Sequence, residues 1–245
     1  LAITATDERT LGGTRIRTQG KLYADAHSRY EAGDLVYGGL DSGPVLDLEG
    51  FSARPAVGLV HTRLDKRPLF NAAFLLLNLE NKAETEILRS IDLSLGYRDF
   101  ADRFLGRDGP QLDGKALFSW SDMAASGDRL SLTPSYAYNH TLGKAEANRH
   151  HALGAHIDYL HPLSDAVQAG ADLGLTHRFF LGHEVEENSD RRDYLIQPGL
   201  RLIFPELLFA DSALIAEYGF ERNWSNDGDK AYLNHRITLK LGWTF

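Results

Sequence analysis

Cysteine is absent from the 245 residues, which excludes a disulfide scaffold, a thiol nucleophile and any Cys-ligated metal site. Long apolar runs are missing too. The longest, Ala72-Ala73-Phe74-Leu75-Leu76-Leu77, stops at Asn78, far short of the roughly 18 residues a membrane-spanning helix needs. Nor is there a surplus of basic residues: 34 acidic side chains face 26 basic ones, for a net charge of −8. Without a basic surface to displace counterions from phosphates, a nucleic-acid partner is not expected. What is present is the composition of a folded chain, 43% hydrophobic and 24% charged, too apolar for disorder. The first residue is Leu rather than Met, which reads as a mature form or an excised fragment from which any targeting peptide is gone.

The apolar residues recur with period two. Ile237, Leu239, Leu241, Trp243 and Phe245 alternate with Arg236, Thr238, Lys240, Gly242 and Thr244. Upstream, Leu214, Ala216, Tyr218 and Phe220 alternate with Glu217, Gly219 and Glu221, and Tyr194 to Phe204 alternate with Gln197, Gly199 and Arg201. Val167 to Leu175 oppose Gln168, Gly170, Asp172 and Gly174, and Ile91 to Tyr97 oppose Asp92, Ser94, Gly96 and Arg98. Successive side chains of a strand point to opposite faces, so this is the pattern of a β-strand. No comparable stretch has a helical period, and the chain reads as all-β.

Short links at 205–206, 161–165 and 125–128 alternate with longer polar ones at 222–230, 181–192, 141–148 and 99–112. That is the signature of an up-and-down meander with tight turns at one end and loops at the other. Counting back from the C-terminus gives ten strands down to 45–62, and the first 40 residues hold two more. The expectation is a single domain over 1–245, an antiparallel barrel of about twelve strands, with ten or fourteen as the alternatives. Both termini then lie at the short-turn end. Pro44, Gly50 and Pro55 interrupt the pattern in the first 65 residues, where the strand assignment is least determined.

A soluble barrel or sandwich also alternates, so further features decide. The runs extend for about ten residues, against a soluble mean of about 5–6, and a tilted strand crosses a bilayer in about 9–11. The polar face mixes Gly, Ser and Thr with charges of both signs, as a confined wet interior does. Aromatic residues such as Tyr97, Tyr136, Tyr138, Tyr159, Phe179, Tyr194, Phe204 and Phe220 sit toward strand ends, where membrane interfaces favour them. The ending Ile237-Thr-Leu-Lys-Leu-Gly-Trp-Thr-Phe245 resembles the C-terminal β-signal of Gram-negative outer-membrane proteins, porin-like barrels among them. The resemblance implies an assembly signal formed by Ile237, Leu239, Leu241, Trp243 and Phe245, read by the barrel-assembly machinery, and residence in the bacterial outer membrane among lipids and lipopolysaccharide.

With the apolar face toward lipid, the charged residues expected to line the lumen are Arg98, Lys115, Asp158, Asp172, Arg178, Arg201, Glu217, Glu221, Arg236 and Lys240. Hairpin geometry sets Asp172 roughly opposite Arg201 and Glu217 near Arg236. Such residues either brace the wall as cross-strand ion pairs or form a constriction that selects solutes by size and sign.

Ten histidines raise a metal site, but His150 and His151 point to opposite faces, and His150 and His156 lie roughly 20 Å apart along a strand. A cross-strand site with His140 is the remaining geometry, and no metal or other cofactor is expected. The acidic stretch from His183 to Asp190 reads as a solvated loop, and Asn226-Asp227-Gly228-Asp229 as a hairpin turn lacking the calcium-loop frame. Gly-x-Ser-x-Gly, His-Glu-x-x-His and the phosphate-binding loop are all absent. A lipid hydrolase would need Ser119 or Ser121 beside His140 or His150, and no enzyme activity is expected. The expected function is a channel for small hydrophilic solutes or one polar substrate. The alternatives are the exit port of a polysaccharide or protein exporter and an outer-leaflet lipid hydrolase.

Overall fold

The period-two segments form strands that pair in sequence order. The computed structural model describes residues 2–25, 34–83, 87–101, 107–142, 148–186, 189–207 and 212–243. Within them lie β1 (Ala2–Leu11), β2 (Thr14–Asp25), β3 (Leu35–Asp47), β4 (Phe51–Leu64), β5 (Arg67–Asn81), β6 (Leu88–Phe100) and β7 (Gly109–Ser121). They continue as β8 (Arg129–Asn139), β9 (His150–Ser164), β10 (Val167–Glu186), β11 (Ser189–Pro205), β12 (Ser212–Ser225) and β13 (Tyr232–Trp243). A 3-10 turn, Gly228–Lys230, sits between the last two, and no α-helix occurs among the described residues. No helix is long and apolar enough to cross a membrane, a statement that leaves strands untouched.

The thirteen strands form one sheet in which each is antiparallel to its chain neighbours. Among the described residues β1 pairs with β2 alone and β13 with β12 alone, so the sheet has two unpaired edges and is not closed. The expected twelve strands become thirteen because the first 47 residues hold three. An odd count also moves the start of β1 to the end opposite the close of β13. The termini therefore do not share the short-turn end.

Two devices organise the N-terminal third. Leu11 pairs with Thr14 around Gly12 and Gly13 (φ 57° and 84°), and Leu64 pairs with Arg67 around Asp65 and Lys66 (φ 52° and 64°). Two consecutive left-handed residues make the mirror-image turn whose twist matches the strands it joins. Pro44 and Pro55 do not break their strands. The β3–β4 register is the same on both sides, Ser42 with Val57 and Leu46 with Ala53, which sets the two prolines directly opposite each other. Neither has an N–H to donate, so the ladder skips those positions without slipping.

Residues 181–186 and 189–192 do not form a loop. They extend β10 and β11, the longest strands at 20 and 17 residues. Pairing of β10 with β9 ends at Phe180 and His150, beyond which β10 and β11 pair only with each other, through irregular register, as far as Glu186 and Ser189. The charged stretch stays extended because its own hairpin supplies the hydrogen bonds. Gly182, at φ 84°, takes the turn out of the ladder and donates its N–H to Asp190 Oδ1 at 3.2 Å.

Candidate functional site: the concave charged face

One face of the sheet is apolar and exposed. Ile237, Leu239 and Leu200 keep 86%, 70% and 61% of their surface open, and Leu59, Leu75, Leu95 and Leu153 are exposed beside them. Leu241 belongs to the same face. Trp243 pairs in register with Ser212, and Phe245 lies outside the described residues. The face carries rings toward its ends. Tyr138 stacks on His151 at 4.5 Å, His177 on Tyr194 at 3.9 Å, and the Tyr218 hydroxyl lies 2.8 Å from His235 Nδ1. So large an exposed apolar surface marks a face that meets a membrane or another protein.

The opposite face is concave and polar. A cavity of about 680 Å³ is lined from β2 through β10, with Arg17, Arg54, Asp92, Lys115, Ser135 and Thr176 among the residues that meet it. Only a sheet curled about this face brings so many consecutive strands to one space. All ten residues expected in the lumen lie on it by register. Lys115 sits across from Asp92, with Nζ 3.4 Å from its carboxylate. Arg201 lies 2.6 Å from Asp158 and 3.9 Å from Asp172. Glu217 pairs with Lys240 at 2.7 Å, not with Arg236. Glu217 faces Thr238, with Arg236 and Lys240 diagonal to it on either side, and it is Lys240 that leans across. Glu221 accepts from Gln197 and from the Tyr232 hydroxyl, both at 2.5 Å. Arg98, Arg178 and Arg236 have no ion pair within 4 Å among the described residues.

Glycines make the Arg201 cluster possible. Asp172 is opposite Gly199, where a Cβ would lie 2.4 Å from its Oδ1, and Arg201 is opposite Gly170, where a Cβ would lie 2.7 Å from its Nε. Each charge lies over a position that has no side chain. Further ion pairs belong to the N-terminal strands. Arg54 lies 2.6 Å from Asp41 in the most enclosed of these pairs, and Arg15 and Arg17 share Glu8, with Arg15 and Lys82 converging on Asp47. Sequence reasoning did not single these out, although Arg15, Arg17, Gln19 and Lys21 alternate with Ile16, Thr18, Gly20 and Leu22 and carried the signal.

The remaining candidates separate. Ser119 pairs with Ser131 near one end of β8, whereas His150 pairs with Asn139 at its other end. Eight residues of extended strand put roughly 25 Å between them, so no Ser–His couple forms there. His150 and His151 do point to opposite faces, toward Phe180 and Tyr138 respectively. No group of three or more potential metal ligands occurs among the described residues. Compared with protein-family models, with curated proteins and with solved structures, the chain matches none.

Proposed function

We propose that the protein is an outer-membrane β-barrel channel that passes small hydrophilic solutes along a mixed-charge lumen. The observation that carries this reading is the division of the two faces: exposed leucine and isoleucine on the convex side, paired charges around a cavity on the concave side. Strands of 10–20 residues reach or exceed the roughly 9–11 needed to cross a bilayer at a tilt. The ion pairs run along the wall, between strands that are adjacent or two apart, so they brace the sheet without bridging the cavity. On this reading lipid and lipopolysaccharide cover the convex face, and the barrel-assembly machinery reads the C-terminal strand. The solute is polar and small, and the protein is not an enzyme.

Planar-bilayer recording with the refolded protein tests this. Discrete, ohmic conductance steps are expected, with weak preference between cations and anions because both signs line the wall. Absence of conductance together with absence of solute uptake in liposome swelling would overturn it.

A further inference from the structure

At the end of the concave face where β6 finishes and β9 begins, a small cavity of about 180 Å³ is lined by Arg98, Arg107, Asn139, His140, Asn148 and His150, among others. Arg98 is opposite Gly109, so no side chain fills the space across the strand from its guanidinium. Nothing larger fits at 109: a Cβ there would lie 1.9 Å from the His140 carbonyl oxygen. The Phe70 ring, 5.5 Å from the Arg98 guanidinium carbon, supports the group from one side. Arg98 Nε is buried and has no hydrogen-bond partner among the described residues, and a buried donor left unsatisfied is costly.

Positive charge gathers around this spot. Arg98, Arg178 and Arg191 are all near enough to His150 for their charges to act on it. His150 itself is fixed by both nitrogens, Nδ1 donating to the Asn148 carbonyl at 2.9 Å and Nε2 accepting from Asn139 Nδ2 at 3.2 Å. The nearby carboxylates have partners of their own, and of the three only Asp113 is close enough for its charge to act on Arg98, with which it makes no ion pair within 4 Å among the described residues. Asp193 is held by Arg191 at 2.5 and 3.0 Å, Asp108 accepts the Phe100 N–H at 2.7 Å, and Asp113 accepts from Ser94 and Gln111. A cation with an unfilled donor, in a site with further cations and amide donors, matches a planar or tetrahedral oxyanion.

We infer that this cavity is a binding site for a small oxyanion, a phosphate, sulfate or carboxylate group, with Arg98 as its principal donor and Arg178 adding to the local field. The volume admits the acid group itself rather than a drug-sized molecule, whose pockets run to about 300–1,000 Å³. The site goes beyond permeation, since it would bind its anion in a barrel that conducts nothing.

The test is calorimetric titration of the refolded protein in detergent micelles, at fixed ionic strength, with inorganic phosphate, sulfate, glycerol phosphate and chloride. Saturable binding of the oxyanions but not chloride is expected. Binding of inorganic phosphate alone assigns a free ion, and binding of glycerol phosphate as well assigns an acid group carried on a larger molecule. R98Q is expected to weaken binding at least about tenfold, the loss of a charge-assisted hydrogen bond, and R178Q to weaken it by a smaller factor. R9Q, on the convex face at the far end, leaves it unchanged. If R98Q does not refold, R178Q decides alone. No saturable binding to the wild type, or wild-type affinity in the refolded variants, overturns the inference.

Discussion

Arg201 reaches over an entire strand to bring its guanidinium within 2.6 Å of Asp158, with Asp172 of the intervening strand 3.9 Å away. Asp158 and Asp172 are themselves directly opposite in register, so one cation keeps two carboxylates from facing each other unscreened. Replacing it with methionine is expected to cost about 2 kcal/mol. That lies between the ~0–1 kcal/mol of exposed pairs and the ~3–5 kcal/mol of breaking fully buried ones, as suits side chains that are 19% and 16% exposed. Urea titration of the refolded protein measures it. D158N in the R201M background should restore part of the loss, because it removes the repulsion; simple additivity would show that the two do not interact.

How much of this was legible beforehand differs along the chain. From β6 onward the alternation of single residues placed strands and faces, and it put Asp172 near Arg201. What it missed depended on partners out of view. The acidic run from His183 looks like a loop because charge and turn residues dominate it, yet β11 supplies its ladder. Pro44 and Pro55 look like breaks until each is seen to face the other. Glu217 chose Lys240 over Arg236 through a diagonal lean that register alone does not fix. The apolar run at Ala72–Leu77 hid an inward row of Ala72, Phe74 and Leu76 because both faces of β5 are apolar there.

Lys66 occupies a left-handed conformation (φ 64°) that side chains disfavour. The strain is about 1 kcal/mol or somewhat more for a non-glycine residue. K66G is therefore expected to stabilise the protein by somewhat less than about 1 kcal/mol, the relief of strain being partly offset by glycine's greater freedom in the unfolded chain, since Arg63 bonds the Lys66 carbonyl and not its side chain. The converse change, Gly13→Ala at φ 84°, should destabilise by a similar amount. Paired urea curves check both, and a loss of stability in K66G would mean that the ammonium makes a contact of its own.

Asp128 holds the link between β7 and β8 together. Its carboxylate accepts the backbone N–H groups of Met123, Ala124 and Ala125 at 2.8 to 2.9 Å and the Tyr159 hydroxyl at 3.2 Å. Burial pushes its pKa up, but these hydrogen bonds outweigh that and hold it below the usual carboxylate range. A carboxyl depressed in the folded state stabilises it fully above the unfolded value, about 3.9, and loses that contribution as pH falls through the folded value. The stability difference between wild type and D128N should thus be largest above about pH 4 and shrink on further acidification. A difference that is constant from pH 7 to pH 2.5 would assign the loss to packing instead.

The channel reading requires the two free edges to meet, and thirteen strands determine how. β1 and β13 both run toward the end that carries the Gly12–Gly13 turn, so a seam between them is parallel, whereas β13 against β2 would be antiparallel and leave β1 aside. A chain with no cysteine allows the choice to be read by cross-linking. Thr6 of β1 and Gln19 of β2 face each other and share the concave face with Asn234, Arg236 and Thr238 of β13. Cysteine pairs combining Thr6 with each β13 position should form a disulfide in lipid at one register, and not in urea, because only paired strands hold their Cα atoms within the roughly 4.4–6.8 Å a disulfide spans. Disulfides from Gln19 instead would assign a twelve-stranded antiparallel closure. Failure at every position of both strands would leave the sheet open in lipid and remove the enclosed lumen on which conduction depends.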